Sequence, residues 1–247
     1  GVSTFTGFGY TMSAGLMGML SQPGTITAIT ALSKSPGTLE LAWTAPGADG
    51  FLGNVAGGSW RIDASSDPNH SFSPSVFLVE FATTVVSGSR QSYLLKGLSP
   101  NTTYYSRVYL ADPAKVASET SAASAESTLA NVPAAPVVTG VFQTSVTVTW
   151  TLPVGGASGF RLDSSSTDFG ALALGGSDLS ALSGSSVSVT LTISGLTPYT
   201  VYFLKLGSLN WQKDVNFTTI VATRTLPGGP VPVEGLALAG DALNRRI

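Results

Sequence analysis

Charged side chains are scarce in this chain of 247 residues. Asp, Glu, Lys and Arg make up 11% of it and the formal net charge is −2, whereas about 25% is usual in globular proteins. Binding to nucleic acid or to an anionic membrane surface requires clustered basic residues, so the composition argues against both partners. Ser, Thr, Gly and Ala take the place of the charges. Such a surface suits packing against identical copies, a coat of sugars, or simply a neutral secreted protein.

Cysteine is absent and histidine occurs once. Disulfides and thiol chemistry are therefore excluded, and the His and Cys spacing of a zinc site does not occur. No nucleophile, base and carboxylate can be recognised as a catalytic set. The sequence predicts a non-enzymatic protein without metal or cofactor.

What the chain does contain is an internal repeat. The segments "LELAWTAP", "WRID" and "LKGLSPNTTYYSRVYL" correspond to "VTVTWTLP", "FRLD" and "ISGLTPYTVYFLKL" in the second half. Apolar and polar residues alternate in "TLELAWT", "SVTVTWT" and "SVSVTLTIS", and turn signals such as "SPGT" and "GLTPYT" separate the segments. A period of two indicates half-buried strands. Many short strands without long helical patterns predict an all-β chain of β-sandwiches.

Both halves resemble fibronectin type III domains. A core tryptophan, Trp43 or Trp150, ends the second strand of each copy and precedes a turn with proline. A Gly-Leu-x-Pro-x-x-x-Tyr pattern resembles the tyrosine corner of the family, and its residues here are Leu98, Pro100, Tyr104, Leu196, Pro198 and Tyr202. The resemblance implies two consecutive immunoglobulin-like sandwiches, with each corner hydroxyl bonded to nearby backbone.

The first copy is also similar to repeats of secreted bacterial surface proteins. The second copy departs from the pattern at Phe160, where the first has Trp60, and in the atypical stretch "DSSSTDFGALALGGSDLSALSGSS". Both departures fall in the region of its middle strands.

The repeat divides the chain into four parts. We expect an N-terminal extension over residues 1–22, domains over 23–128 and 129–227, and a C-terminal tail over 228–247. The junction "STLANVPAAP" is short and contains proline, so the domains should be held close together. Because the chain starts at Gly1 without a basic leader, we expect a mature extracellular or cell-surface protein whose signal peptide has been removed.

The N-terminal extension carries no charge and alternates large apolar with small residues from Phe8 to Leu16. It is too rich in Gly, Ser and Thr for a membrane-spanning helix, and its glycines disfavour a long soluble helix. The alternation instead predicts a strand laid on an apolar surface. Its partner is either its own domain or the sheet of a neighbouring subunit, as in donor-strand complementation.

The C-terminal tail is also apolar, and it follows a Pro-Gly break. It docks either on its own domain or on the next subunit, and contacts at both ends favour head-to-tail assembly. The predicted assembly residues are Phe5, Phe8, Tyr10, Met12, Leu16, Met19, Leu20, Leu236 and Leu243.

The leading hypothesis is a self-assembling subunit of a surface filament, sheath or layer, whose partners are copies of itself. The alternative is an adhesin, or a carbohydrate-binding or spacer module of a larger secreted protein, with glycans or cell-surface components as partners. Trp211, in a predicted loop, is the candidate ligand residue for that alternative. Sequons at Asn69, Asn101 and Asn216 are candidate glycosylation sites.

Overall fold

The computed structural model describes residues 22–69, 78–170, 174–180 and 188–229. The predicted assembly residues of the two extensions, from Phe5 through Leu20 together with Leu236 and Leu243, lie outside these ranges.

The first repeat is a sandwich of two antiparallel sheets. Alternation buries Leu39, Leu41 and Trp43 on one face of its second strand, since successive side chains of a strand point to opposite faces. The sheet orders are β1-β2-β5 and β4-β3-β6-β7. The strands are β1 (Thr30–Ser35), β2 (Thr38–Thr44), β3 (Val55–Ser65), β4 (Leu78–Val85), β5 (Arg90–Lys96), β6 (Thr103–Ala111) and β7 (Ser124–Ser127).

The second repeat has the same topology, with sheet orders β12-β9-β8 and β11-β10-β13-β14. The atypical stretch contains a strand, because the backbone of β11 pairs with β10. The strands are β8 (Ala134–Val141), β9 (Ser145–Thr151), β10 (Gly159–Ser165), β11 (Leu174–Ser180), β12 (Ser188–Ser194), β13 (Val201–Leu209) and β14 (Val215–Arg224). The predicted all-β fold with two consecutive β-sandwiches is confirmed.

An edge-to-face aromatic pair lies at the centre of each core. The rings of Trp43 and Trp60 are 5.1 Å apart at 75°, and those of Trp150 and Phe160 are 5.0 Å apart at 60°. This arrangement places the edge of one ring on the face of the other and is a favoured geometry. Phe160 therefore takes the place of Trp60 in the second repeat, and the edge-to-face packing against the core tryptophan is the same in both repeats.

The corner tyrosines tie the β5–β6 and β12–β13 loops to the cores. The hydroxyl of Tyr104 accepts a hydrogen bond from the backbone N–H of Ser99 at 2.9 Å. The hydroxyl of Tyr202 accepts one from the N–H of Thr197, also at 2.9 Å. Both tyrosine rings are buried. The two loops consequently have the same conformation, which allows the repeats to be compared position by position.

The loops of each sandwich gather at two poles, because neighbouring strands are antiparallel. We call the pole where the first strand begins the upstream pole, and the pole where the last strand ends the downstream pole. The chain joins the upstream pole of the first repeat, where Gly50 bonds to Gln22 and Gly24. It leaves the downstream pole of the second repeat near Leu226, whose N–H donates to the carbonyl of Phe142. Both extensions are thus attached at poles that face away from the partner repeat.

Candidate functional site

The described residues contain no group of three or more His, Cys, Asp or Glu that could hold a metal ion. The buried Asp63 and Asp163 are each paired with an arginine two residues earlier, at 3.1 and 2.8 Å. A cleft of about 400 Å³ is lined by Val79, Tyr93, Leu94, Leu95 and Lys96. This lining supplies no carboxylate pair of the kind used in glycoside hydrolysis.

Trp211 lies at the junction between the repeats, in the β13–β14 loop. Its indole Nε1 donates a hydrogen bond of 2.9 Å to the backbone carbonyl of Asn101 in the first repeat. Trp211 is 58% exposed, so the residue is held by this bond and is still accessible to solvent. The contact explains why a large aromatic residue stands in this loop. Its predicted role in binding a ligand is not tested and stays a prediction.

A fully buried asparagine sets the shape of this loop. The Nδ2 of Asn210 donates to the carbonyl of Ser127 in the first repeat at 3.1 Å, and to the carboxylate of Asp214 at 3.1 Å. Its Oδ1 accepts from the N–H of Asp214 at 2.8 Å. A buried amide costs free energy unless its groups are paired, and here pairing requires both repeats.

Two further asparagines hold the linker between the repeats. Asn131 donates from Nδ2 to the carbonyl of Val154, and Asn216 from Nδ2 to the carbonyl of Ala130, each at 2.8 Å. Gly155 comes so close to the first repeat that a Cβ there would lie 2.5 Å from Cγ of Pro100. The repeats are docked directly, and glycine is required at the contact.

Two acidic residues, one from each repeat, interact electrostatically at the junction. Burial raises the pKa of Glu126 on β7, the negative charge of Asp214 raises it further, and a hydrogen bond from the backbone of Ser127 lowers it. Repulsion between the two acids opposes docking when both are ionised. The junction therefore contains a group whose protonation favours the docked form.

The three sequons differ in their surroundings. Asn69 is exposed, whereas Asn101 is 8% exposed and lies beneath the second repeat. Asn216 uses Nδ2, the atom to which a glycan is attached, in the bond to Ala130. A glycan on Asn101 would require displacement of the second repeat. Glycosylation at any of the three sites stays a prediction.

The two poles that face away from the junction carry exposed apolar side chains. These are Phe142, Tyr199 and Leu226 at the downstream pole of the second repeat, and Phe51, Leu52 and Val86 at the upstream pole of the first. Sequence reasoning missed all six, since they lie in loops outside the alternating segments. Alignment of the two copies would have pointed to Tyr199, which occupies the position of Asn101.

No family model matches the chain. Mouse usherin is 34% identical over 125 residues, which is 49% of this chain and 2% of usherin. The chain thus spans a very small part of this relative. A solved structure of the chicken CNTN1 FN1–FN3 domains has a TM-score of 0.43 at 15% identity, over 83% of this chain and 69% of that one. A two-domain fibronectin type III segment of chicken tenascin has a TM-score of 0.41 at 17% identity, over 81% and 99%.

Across the described ranges, no helix has the length and hydrophobicity to cross a membrane.

Proposed function

We propose that the protein is a non-enzymatic, extracellular structural subunit that assembles head to tail into a filament, sheath or layer at a cell surface. One observation carries the proposal. The repeats are docked to each other, and the N- and C-terminal extensions are attached at the two poles that face away from the junction. A subunit whose two ends differ makes heterologous contacts, which give an open filament unless the rotation closes a ring.

The N-terminal extension is the proposed assembly strand. Its last residue is fixed to the upstream pole of the first repeat, because the backbones of Gln22 and Gly24 bond to Gly50. Its alternating apolar face is suited to adding to the sheet of a neighbouring copy by donor-strand pairing. In this proposal the principal partner is the same protein.

Assembly would depend on apolar burial and strand pairing rather than on charge. The chain is 11% charged, so few ion pairs are available to be screened by salt. The proposed filament should therefore persist in concentrated salt.

Sedimentation velocity and electron microscopy of the full chain test the proposal. We expect large linear assemblies, and loss of assembly when residues 1–22 are deleted. The sharper comparison places two aspartates on the apolar face of the extension (Tyr10→Asp with Met12→Asp) or on its small face (Thr11→Asp with Ser13→Asp). Only the first pair should abolish assembly. A monomeric full chain, or equal behaviour of the two pairs, would contradict the proposal.

The second candidate is a spacer or adhesive module within a longer protein. The similarity to usherin favours it, because the matched 125 residues are only 2% of that chain. A docked junction would also hold neighbouring modules at a fixed spacing. This function predicts a stable monomer, and glycan binding that is lost in Trp211→Ala. A glycan array with both proteins distinguishes it from the first proposal.

A further inference from the structure

The downstream poles of the two repeats share one backbone framework. In the first repeat the N–H of Asn101 donates to the carbonyl of Leu129 at 3.1 Å. In the second repeat the N–H of Tyr199 donates to the carbonyl of Leu226, also at 3.1 Å. Asn101 and Tyr199 both have left-handed backbone angles, with φ of 50° and 55°. The poles are therefore equivalent surfaces with different side chains.

Exposure to solvent would favour polar side chains at the uncovered downstream pole and apolar ones at the covered pole, but the two repeats show the reverse. At the pole that the second repeat covers, the positions hold the small or polar Ser35 and Asn101, together with Leu129. At the pole that no described residue of another repeat covers, the side chains are 49 to 64% exposed. They are Phe142, Tyr199 and Leu226. Clustered apolar side chains on a surface mark an interaction site.

The upstream pole of the first repeat resembles the surface that covers a downstream pole inside the chain. In the second repeat, that covering surface includes the 210–214 turn, where the N–H of Lys213 donates to Asn210 at 3.0 Å. In the first repeat, the N–H of Lys115 donates to Asp112 at 3.0 Å in the equivalent turn. The two lysines have φ of 71° and 67°. The backbone conformation of this part of the covering surface thus occurs also at the upstream pole of the first repeat.

The upstream pole of the first repeat is also apolar. Its exposed side chains are Phe51, Leu52 and Val86, which are 60 to 75% exposed. Phe51 and Leu52 lie in the 45–54 loop, the equivalent of the loop that brings Val154 and Gly155 to the junction. Among the described residues, each outer pole therefore offers an apolar surface for the other.

We infer that the downstream pole of the second repeat binds the upstream pole of the first repeat in another copy of the chain. The contact continues the stacking of the internal junction from one molecule to the next. The inference rests on the proposed function. It adds to the contact made by the N-terminal extension a second contact, which is made by the folded repeats.

Disulfide trapping tests the contact cleanly, since the chain has no cysteine. Full-length Phe51→Cys and Tyr199→Cys chains, one of them labelled with ¹⁵N, are mixed under a mild copper–phenanthroline oxidant. Mass spectrometry then measures the mixed disulfide. The control pairs Tyr199→Cys with Ser92→Cys, at an exposed position on β5 away from both poles. Leu52→Cys with Leu226→Cys repeats the test at independent positions, in case one variant folds poorly.

We expect the pole pair to cross-link about tenfold faster than the control, because docking raises the local thiol concentration. The Phe51→Cys, Tyr199→Cys double variant should also give a ladder of linear oligomers. Rates within about twofold of the control for both pole pairs would overturn the inference. Selective cross-linking only after residues 230–247 are removed would assign the pole to the tail of the same chain and overturn it as well.

Sedimentation of the same chains separates this failure from failure of the proposed function. Assembly without selective disulfides leaves the filament in place and removes the pole contact. Monomeric chains without selective disulfides remove both.

Discussion

A single added methyl group should separate the two repeats. Gly155 has a φ of +85°, and a Cβ at this position would lie 2.5 Å from Cγ of Pro100 in the first repeat. Carbon atoms in contact are normally about 3.5–4.0 Å apart, and a proline ring atom cannot rotate away. In Gly155→Ala the two surfaces must therefore move apart by about 1 Å or more.

That displacement is enough to break the hydrogen bonds of the junction. Trp211, Asn210 and Asn216 donate to backbone carbonyls of residues 101, 127 and 130 over 2.8 to 3.1 Å. Hydrogen bonds weaken beyond these lengths, and each contributes about 0.5–1.5 kcal/mol net. Loss of all three removes about 1.5–4.5 kcal/mol from docking. Alanine at positive φ adds about 1–2 kcal/mol of local strain.

The indole N–H signals in a ¹⁵N correlation spectrum provide the assay. The chain has four tryptophans, and the indole N–H groups of Trp43, Trp60 and Trp150 are buried without an acceptor among the described residues. The signal of Trp211 alone reports a bond to the other repeat. In Gly155→Ala it should shift and lose protection from hydrogen exchange, while the other three stay in place.

Gly156→Ala is the matched control, since Gly156 also has a positive φ, of +71°, but nothing lies within 4 Å of a Cβ there. It should show the strain and keep the Trp211 signal. An unchanged Trp211 signal in Gly155→Ala would refute the reasoning, and so would equal changes in the two variants.

Three further predictions concern the corners, the junction acids and the exposed tryptophan. Tyr104→Phe and Tyr202→Phe each leave the N–H of a loop residue without its hydroxyl acceptor. Each should lower the free energy of unfolding, measured by urea titration, by about 1–3 kcal/mol. Unchanged midpoints would contradict this prediction. Because the pKa of Glu126 is raised above its ordinary 4.5 in the folded chain, its contribution to stability is fully present below that value and is lost as the pH rises through the raised pKa. Acidification should then increase the protection of the Trp211 N–H, and Glu126→Gln should remove this dependence; the same pH profile in both proteins would argue against the acid pair. Trp211→Ala should increase hydrogen exchange in residues 97–102 of the first repeat, with the exposed neighbour Gln212→Ala as control, and equal exchange in both variants would contradict the assigned contact.

The fold could be predicted because its determinants are local. The alternation that buries Leu39, Leu41 and Trp43 can be read from seven consecutive residues, and the repeat shows the same signal twice. The exchange of Trp60 for Phe160 keeps the edge-to-face geometry, so the departure in sequence left the sandwich intact. Even the atypical stretch supplies β11, whose backbone pairs along β10.

The junction could not be predicted in the same way, because its contacts join positions far apart in the chain. The sequence placed Trp211 in a loop, but its acceptor lies 110 residues earlier. Asn210 and Gly155 belong to loops whose composition would suit any turn. Their importance follows from what faces them in the other repeat, and no periodicity carries that information.

A comparison of the two downstream poles gives information that neither the sequence pattern nor the contacts of one repeat alone provide. A stacked array needs polar outer faces on its terminal units to remain soluble. Here the covered pole holds Ser35 and Asn101, whereas the downstream pole of the second repeat presents Phe142 and Tyr199 on the same backbone framework. If this pair of repeats ended in solvent, the two sets of side chains would be expected in the reverse order. The composition is instead that of an interior unit, which supports the contact inferred above between the downstream pole and a second copy of the chain.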